Sequence, residues 1–270
     1  MTQWQTEIIG GSPRLAVDHA GEGELLIFMH GIGGNRTNWH DQLPAFAEHF
    51  HAVAWDARGY GDSDDYEGAL NFTDYADDVV RVIDHFGAER AHLVGLSMGG
   101  RIAMDFAVRY PDRLLTLTLC DTHQGFANMP QEKKDEFIRL RKEPLTSGKE
   151  PKDIAEPVAR TLFGPNASEA VFRRLVESMS QLHKESYIKS IEASVNTDTR
   201  SDIGTIRAPT HVVVGGADRL TPPETARAIA GEIDRAELTV IEDAGHLANI
   251  EKPLEFNDAV LGFLHRQAVR

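Results

Sequence analysis

The chain has 270 residues, 41% of them hydrophobic, with a formal net charge of −14 and a single cysteine. This length suits one large α/β domain, or a domain with a sizeable insertion, and the apolar fraction is enough for a packed core. The acidic balance argues against a nucleic-acid backbone or an anionic membrane surface as partner, and the lone Cys120 excludes an internal disulfide and any thiolate metal cluster.

The opening "MTQWQTEIIGG" has no basic start leading into a long apolar run, so neither a signal peptide nor a membrane span is expected, and the expected location is the cytoplasm. Arg14–His19 and Leu25–His30 read as the first strong strands, separated by the turn-like "AGEGE". "HGIGGNRTNW" is expected to lead into a helix through about Glu48, followed by a strand at His51–Asp56, the turn "ARGYGDSDD" and an amphipathic helix at Phe72–Phe86. A strand at Ala91–Leu96 comes next, then a helix after Ser97 and a strand at Leu114–Cys120, whose terminal thiol reads as a buried structural group. From Thr122 to Ser201 the chain reads as consecutive helices, broken by Pro144, Pro151 and Pro165. Alternation resumes at Thr210–Gly215, Pro222–Ala230, Glu237–Ile241 and Pro253–Arg266.

Alternating short apolar strands and helices predict a mostly parallel sheet with helices on both faces. The division expected is a core domain of residues 1–121 and 202–270, with 122–201 as a helical cap over the carboxyl end of the sheet, where ligands of such sheets bind. Thr122–Asp202 holds 13 basic and 13 acidic residues, so the excess negative charge sits on the core.

Ser97 stands where a strand gives way to a helix, in "GLSMGG". A serine hydroxyl attacks carbonyls only when a base takes its proton and the backbone exposes Oγ. A sharp strand-to-helix turn exposes it, Gly95 and Gly99 relieve the crowding, and the helix start aims N–H groups at the reacting centre. Taken alone, Ser97 would also fit as a helix cap. His246, in the loop after Glu237–Ile241, is the candidate base, and Asp218, just past Thr210–Gly215, the candidate carboxylate that orients it. The order Ser97, Asp218, His246, each beyond a strand, is harder to reach by chance than any one of them. Asp121 also follows a strand directly and is the alternative acid. In "HGIGG", glycines allow close backbone approach, so the Ile32 and Met98 N–H groups are the candidate oxyanion donors, while His30 is expected to bond the loop backbone.

With "HGIGG", "WDARGYGDSD", "GLSMGG", "GGADRLTPPE" and "AGHLANIEKP" in place, the chain resembles the α/β-hydrolase superfamily over nearly its whole length. The resemblance implies an eight-stranded, mostly parallel sheet with a helical cap, and a Ser–His–Asp hydrolase that needs no metal or organic cofactor. It also makes Arg58, Gly59 and Gly61 part of a structural turn. Serine at the elbow departs from the aspartate of typical haloalkane dehalogenases and epoxide hydrolases, and implies an acyl-serine route. "GLSMGG", "LTLCDT" and "GHLANIE" are most similar to the 3-oxoadipate enol-lactonase-like carboxylesterases. The expected substrate is therefore a small-molecule ester or lactone.

The carbon–carbon bond hydrolases of meta-cleavage pathways are the alternative; they carry tryptophan directly after the histidine, where this chain has Leu247. A non-catalytic ligand receptor on the same fold is the second alternative. The pocket candidates are His123, Arg173, Arg174 and Leu247, the arginines either meeting a substrate carboxylate or lying solvated on a helix. The sequence leaves the oligomeric state, homodimer included, open.

Overall fold

The computed structural model describes residues 4–127, 129–197 and 202–268. Its strands are β1 (Gln5–Ile9), β2 (Leu15–Ala20), β3 (Leu25–Met29), β4 (His51–Trp55), β5 (Ala91–Leu96), β6 (Leu114–Cys120), β7 (Thr210–Gly215) and β8 (Glu237–Ile241). The helices are α1 (Leu43–Phe46), α2 (Thr73–His85), α3 (Met98–Arg109), α4 (Gln131–Thr146), α5 (Pro151–Ala159), α6 (Glu169–Ser180), α7 (Lys184–Asn196), α8 (Pro223–Glu232), α9 (Ala248–Glu251) and α10 (Pro253–Ala268).

The strands form one sheet in the order β1-β2-β4-β3-β5-β6-β7-β8; β2 pairs antiparallel with both β1 and β4, and the other pairs are parallel. β3, β5 and β7 are buried along their whole length, as strands covered on both faces must be, which is why β3 is wholly apolar and β5 and β7 are broken only by His92, Thr210 and His211. Right-handed crossovers put α1 on one face, because β3 connects to β4 in one direction. The connections β4→β5, β5→β6 and β7→β8 run the other way and carry α2, α3 and α8 on the opposite face. Phe28 of β3 packs on Trp39 and Phe46, and Trp39 reaches Phe256 of α10, closing the core on the α1 side.

The reversal at β3 opens a crevice, since the chain leaves β3 and β5 in opposite directions. Met29 pairs with Gly95, Leu96 with Cys120 and Gly215 with Ile241. The loops beginning at His30, Ser97, Asp121, Gly216 and Glu242 therefore share the carboxyl edge. Helices α4–α7 lie between β6 and β7, with α5 packed on α6 and α4 on α7.

Two local expectations are corrected. β1 is a strand the sequence did not announce, because as an edge strand its Gln5, Thr6 and Ile8 stay exposed and leave no apolar run. The helix expected through Glu48 is instead a 3₁₀ turn at Arg36–Trp39 followed by the single turn of α1, since Pro44 offers no N–H to continue an earlier helix. Asn128 and residues 198–201 of the expected cap lie outside the described residues.

Candidate active site

Ser97 sits at φ 53°, ψ −111°, a conformation that costs a non-glycine residue about 1–3 kcal/mol. Its surroundings hold it there. Its N–H donates to the Cys120 carbonyl (2.9 Å), and its carbonyl accepts from Thr122 Oγ1 (2.6 Å) and the Arg101 N–H (3.2 Å). The turn also demands its glycines. A Cβ on Gly95 would lie 2.3 Å from the Gly99 carbonyl oxygen, and one on Gly99 would lie 2.2 Å from that of Met29.

This turn presents Oγ to the histidine loop. Ser97 Oγ is 2.9 Å from His246 Nε2, and His246 Nδ1 is 2.8 Å from Asp218 Oδ2. The carboxylate can only accept, so Nδ1 carries the imidazole proton and Nε2 is left to accept the Ser97 hydroxyl. Asp218 is itself anchored: Oδ1 accepts from the N–H groups of Leu220 (2.8 Å) and Thr221 (3.1 Å), and Oδ2 from Thr221 Oγ1 (2.6 Å). Burial opposes the imidazolium, yet the hydrogen bond and charge of Asp218, with Asp121 and Glu251 adding to them, raise the His246 pKa. Burial likewise works against the Asp218 carboxylate, but His246 and Thr221 outweigh it and hold its pKa below the ordinary carboxylate value. The pair is built to carry a proton on the imidazole.

A loop from β3 lies against the serine: a Cβ on Gly31 would be 3.1 Å from Ser97 Cβ. Neither the Ile32 nor the Met98 backbone N–H has an intramolecular acceptor among the described residues, and at Met98 this follows from its place at the start of α3, where an N–H has no intrahelical partner. His30 closes this loop. Its Nδ1 donates to the Gly31 carbonyl (2.8 Å) and its Nε2 accepts from the Ala57 N–H (3.1 Å), so burial leaves it neutral with a pKa of about 4. Above the loop stand Met179 of α6 and Tyr187 of α7, whose side chains would lie 3.2 and 3.9 Å from a Cβ on Gly33.

Other sequence candidates fall elsewhere. The oxygens of Asp121 bond the N–H groups of Gly215 (2.7 Å) and Ala248 (3.0 Å) instead of an imidazole nitrogen. Arg173, with a 77% exposed side chain, pairs with Glu169 of its own helix, and Arg174 pairs with Asp41. Both guanidiniums thus meet protein carboxylates, Arg173 on the exposed surface of its own helix. His123 accepts from the Gly125 N–H (3.0 Å), and burial and the nearby Arg101 lower its pKa to about 4. Leu247 is buried in the core cluster beside His246. Arg58 bonds Asp78, and Gly61 leaves room for Asp56, as a structural turn requires.

The sequence reading passed over Thr221 and Glu251. Thr221 precedes Pro222 and looks like an ordinary helix cap. Glu251 bonds the N–H groups of Gly245 and Gly164, both at 2.9 Å, which no local pattern announces. Among the described residues no cluster of three or more His, Cys, Asp or Glu side chains could hold a metal ion, and no helix is long and apolar enough to cross a membrane.

Comparison with known proteins agrees with this architecture. The 3-oxoadipate enol-lactonase 2 of Acinetobacter baylyi is 28% identical over 244 residues, spanning 89% of this chain and 88% of that protein. A 2-hydroxy-6-oxononadienedioate/2-hydroxy-6-oxononatrienedioate hydrolase of Burkholderia vietnamiensis is 31% identical over 272 residues, spanning 95% of this chain and 93% of its own length. The crystal structure of the enol-lactonase from Burkholderia xenovorans LB400 superposes with a TM-score of 0.87 at 25% identity, covering 97% of this chain and all of that one. The sequence pattern of the alpha/beta hydrolase fold matches residues 24–253, and the chain belongs to that family.

Proposed function

We propose that the chain is a serine hydrolase that cleaves a carboxylic ester or lactone of a small organic acid through an acyl-serine intermediate. The observation that carries this reading is the unbroken line from Ser97 Oγ through His246 to Asp218, at 2.9 and 2.8 Å. Ser97 Oγ attacks the substrate carbonyl while His246 Nε2 takes its proton. Asp218 holds the imidazole in the tautomer that can do so and balances the charge it gains. The N–H groups of Ile32 and Met98 receive the oxyanion, and collapse of the tetrahedral intermediate expels the alkoxide or enolate, protonated by His246. Water, deprotonated by the same nitrogen, then releases the acid and restores Ser97. Residues 122–201 act as a cap, with Met179 and Tyr187 over the oxyanion loop.

The relatives named for 3-oxoadipate enol-lactone support the substrate class. The 31% identical relative named for a 2-hydroxy-6-oxo dienedioate favours a second reading, hydrolysis of a vinylogous diketo acid, against which Leu247 stands in the position of the tryptophan of that group. A fluorophosphonate probe tests the mechanism: the expected adduct is on Ser97 and absent from Ser97→Ala, and unlabelled yet active protein refutes it. Comparing kcat/KM over p-nitrophenyl esters, enol-lactones and vinylogous diketo acids tests the substrate, and a clear preference for the diketo acids establishes the second reading.

A further inference from the structure

His246 belongs to a short loop, between β8 and α9, that the sheet does not reach. Its backbone donors still need acceptors, because a buried unpaired N–H is costly. The Gly245 N–H donates to Glu251 Oε1 (2.9 Å), the His246 N–H to the Leu162 carbonyl (2.7 Å) and the Ala248 N–H to Asp121 Oδ2 (3.0 Å). The second oxygen of each carboxylate reaches a different part of the molecule. Glu251 Oε2 accepts from the Gly164 N–H, between α5 and α6, and Asp121 Oδ1 accepts from the Gly215 N–H at the end of β7, three residues before Asp218. Packing leaves no slack, since a Cβ on Gly245 would lie 2.2 Å from the Gly164 nitrogen and one on Gly215 would lie 2.1 Å from the Gly245 oxygen. Asp121, whose Oδ2 also accepts from Cys120 Sγ (3.1 Å), sits at φ 43°, a strained setting for a non-glycine residue.

We infer that Asp121 and Glu251 are positioning residues for His246, Asp121 tying the histidine loop to the acid loop and Glu251 tying it to the helices between β6 and β7. Neither touches the serine or the reacting carbonyl. They act through the backbone on either side of the imidazole, and their charges favour its protonated form. Glu251 and the Leu162 carbonyl thus join the loop of the base to the helical segment. The inference rests on His246 as general base. The charged or titratable groups facing it are Asp218, Asp121 and Glu251, with His123 and Cys120 from the β6 end and Arg101 behind His123.

The test is steady-state ester hydrolysis by Asp121→Asn and Glu251→Gln across pH. In each, an amide nitrogen must face one of the backbone N–H groups, so the loop loosens. The expected result is a kcat at least about tenfold lower with KM within about twofold, as for a misplaced catalytic group. The acid limb of kcat/KM should also move to lower pH, because an anion near the imidazolium has gone. Glu251→Asp, which keeps the charge but not the reach, should lower kcat and leave that limb in place. If the amides do not fold, Asp121→Ser and Glu251→Asn are read by the same quantities. A loss carried by KM, an unchanged kcat or an acid limb that stays in place in the charge-removing variants overturns the assignment for that residue. Ser97→Ala in the same assay separates the two ideas. If it still turns over, the serine-hydrolase reading fails. If it is dead while the carboxylate variants behave as the parent, only this inference fails.

Discussion

Replacing Asp218 by asparagine changes one oxygen to NH2, and the surrounding hydrogen bonds decide which one. Oδ1 accepts two backbone N–H groups, from Leu220 and Thr221, so the amide must keep its carbonyl there and turn its nitrogen toward His246. That nitrogen donates, which forces His246 Nδ1 to accept and moves the imidazole proton to Nε2. Nε2 then points an N–H at Ser97 Oγ, 2.9 Å away, and can no longer remove its proton. The same Asp→Asn change in a serine-protease triad lowers kcat about 10⁴-fold, which at about 1.4 kcal/mol per tenfold is roughly 5 kcal/mol of lost barrier lowering. Thr221 Oγ1 can rotate to accept from the new amide, so the fold should survive and circular dichroism should be unchanged. The assay is kcat for p-nitrophenyl acetate near neutral pH, with Asp121→Asn beside it. A kcat within about tenfold of the parent would refute the tautomer argument. A larger loss in Asp121→Asn than in Asp218→Asn would transfer the role of triad acid to Asp121.

Two predictions concern stability. Gly95→Ala pushes a Cβ into the backbone of Gly99 and Gly100 and should cost about 1–3 kcal/mol or more, read as a fall in Tm of about 2–4 °C per kcal/mol together with loss of activity. Gly231→Ala, in α8 with nothing within 4 Å of the new Cβ, should raise Tm slightly, by up to about 1 kcal/mol of stability; equal effects of the two would contradict the packing argument. Acid should weaken the fold through His30, His123 and His211, whose pKa values burial lowers to about 4. Between the ordinary histidine value and about 4 the unfolded chain binds more protons there than the folded one, so each removes about 1.4 kcal/mol per unit as pH falls. Asp121, raised to about 6 chiefly by burial, and His246, also raised, oppose this in part because their folded forms bind the extra proton. Urea unfolding at pH 7, 6 and 5 should show a net decline, and a flat or rising profile would refute it.

Much of this molecule is legible in its local pattern. β5 and β7 are buried on both faces, so they read as short, mostly apolar segments, and Gly95 is required by its contact with Gly99 and Gly100 within the turn itself. Chain order already put Ser97, Asp218 and His246 beyond strand ends, and a parallel sheet gathers such ends along one edge. What remained hidden depends on partners far apart in the sequence. β1 is a strand because β2 pairs with it, and its exposed face erases the apolar signal. Arg174 could not be told from a ligand-binding arginine until Asp41, 133 positions away, came to lie beside it. Asp121 and Asp218 hold equivalent positions beyond strand ends, and the structure separates them: Asp218 bonds the His246 ring, while Asp121 bonds the Gly215 and Ala248 N–H groups. The sequence by itself determined the alternation of buried strands and helices and which candidate residues stand beyond strand ends, because both follow from neighbouring residues. The tertiary structure decided which carboxylate faces the imidazole and which ones hold its loop, because a side chain's partner is set by the packing of the whole chain.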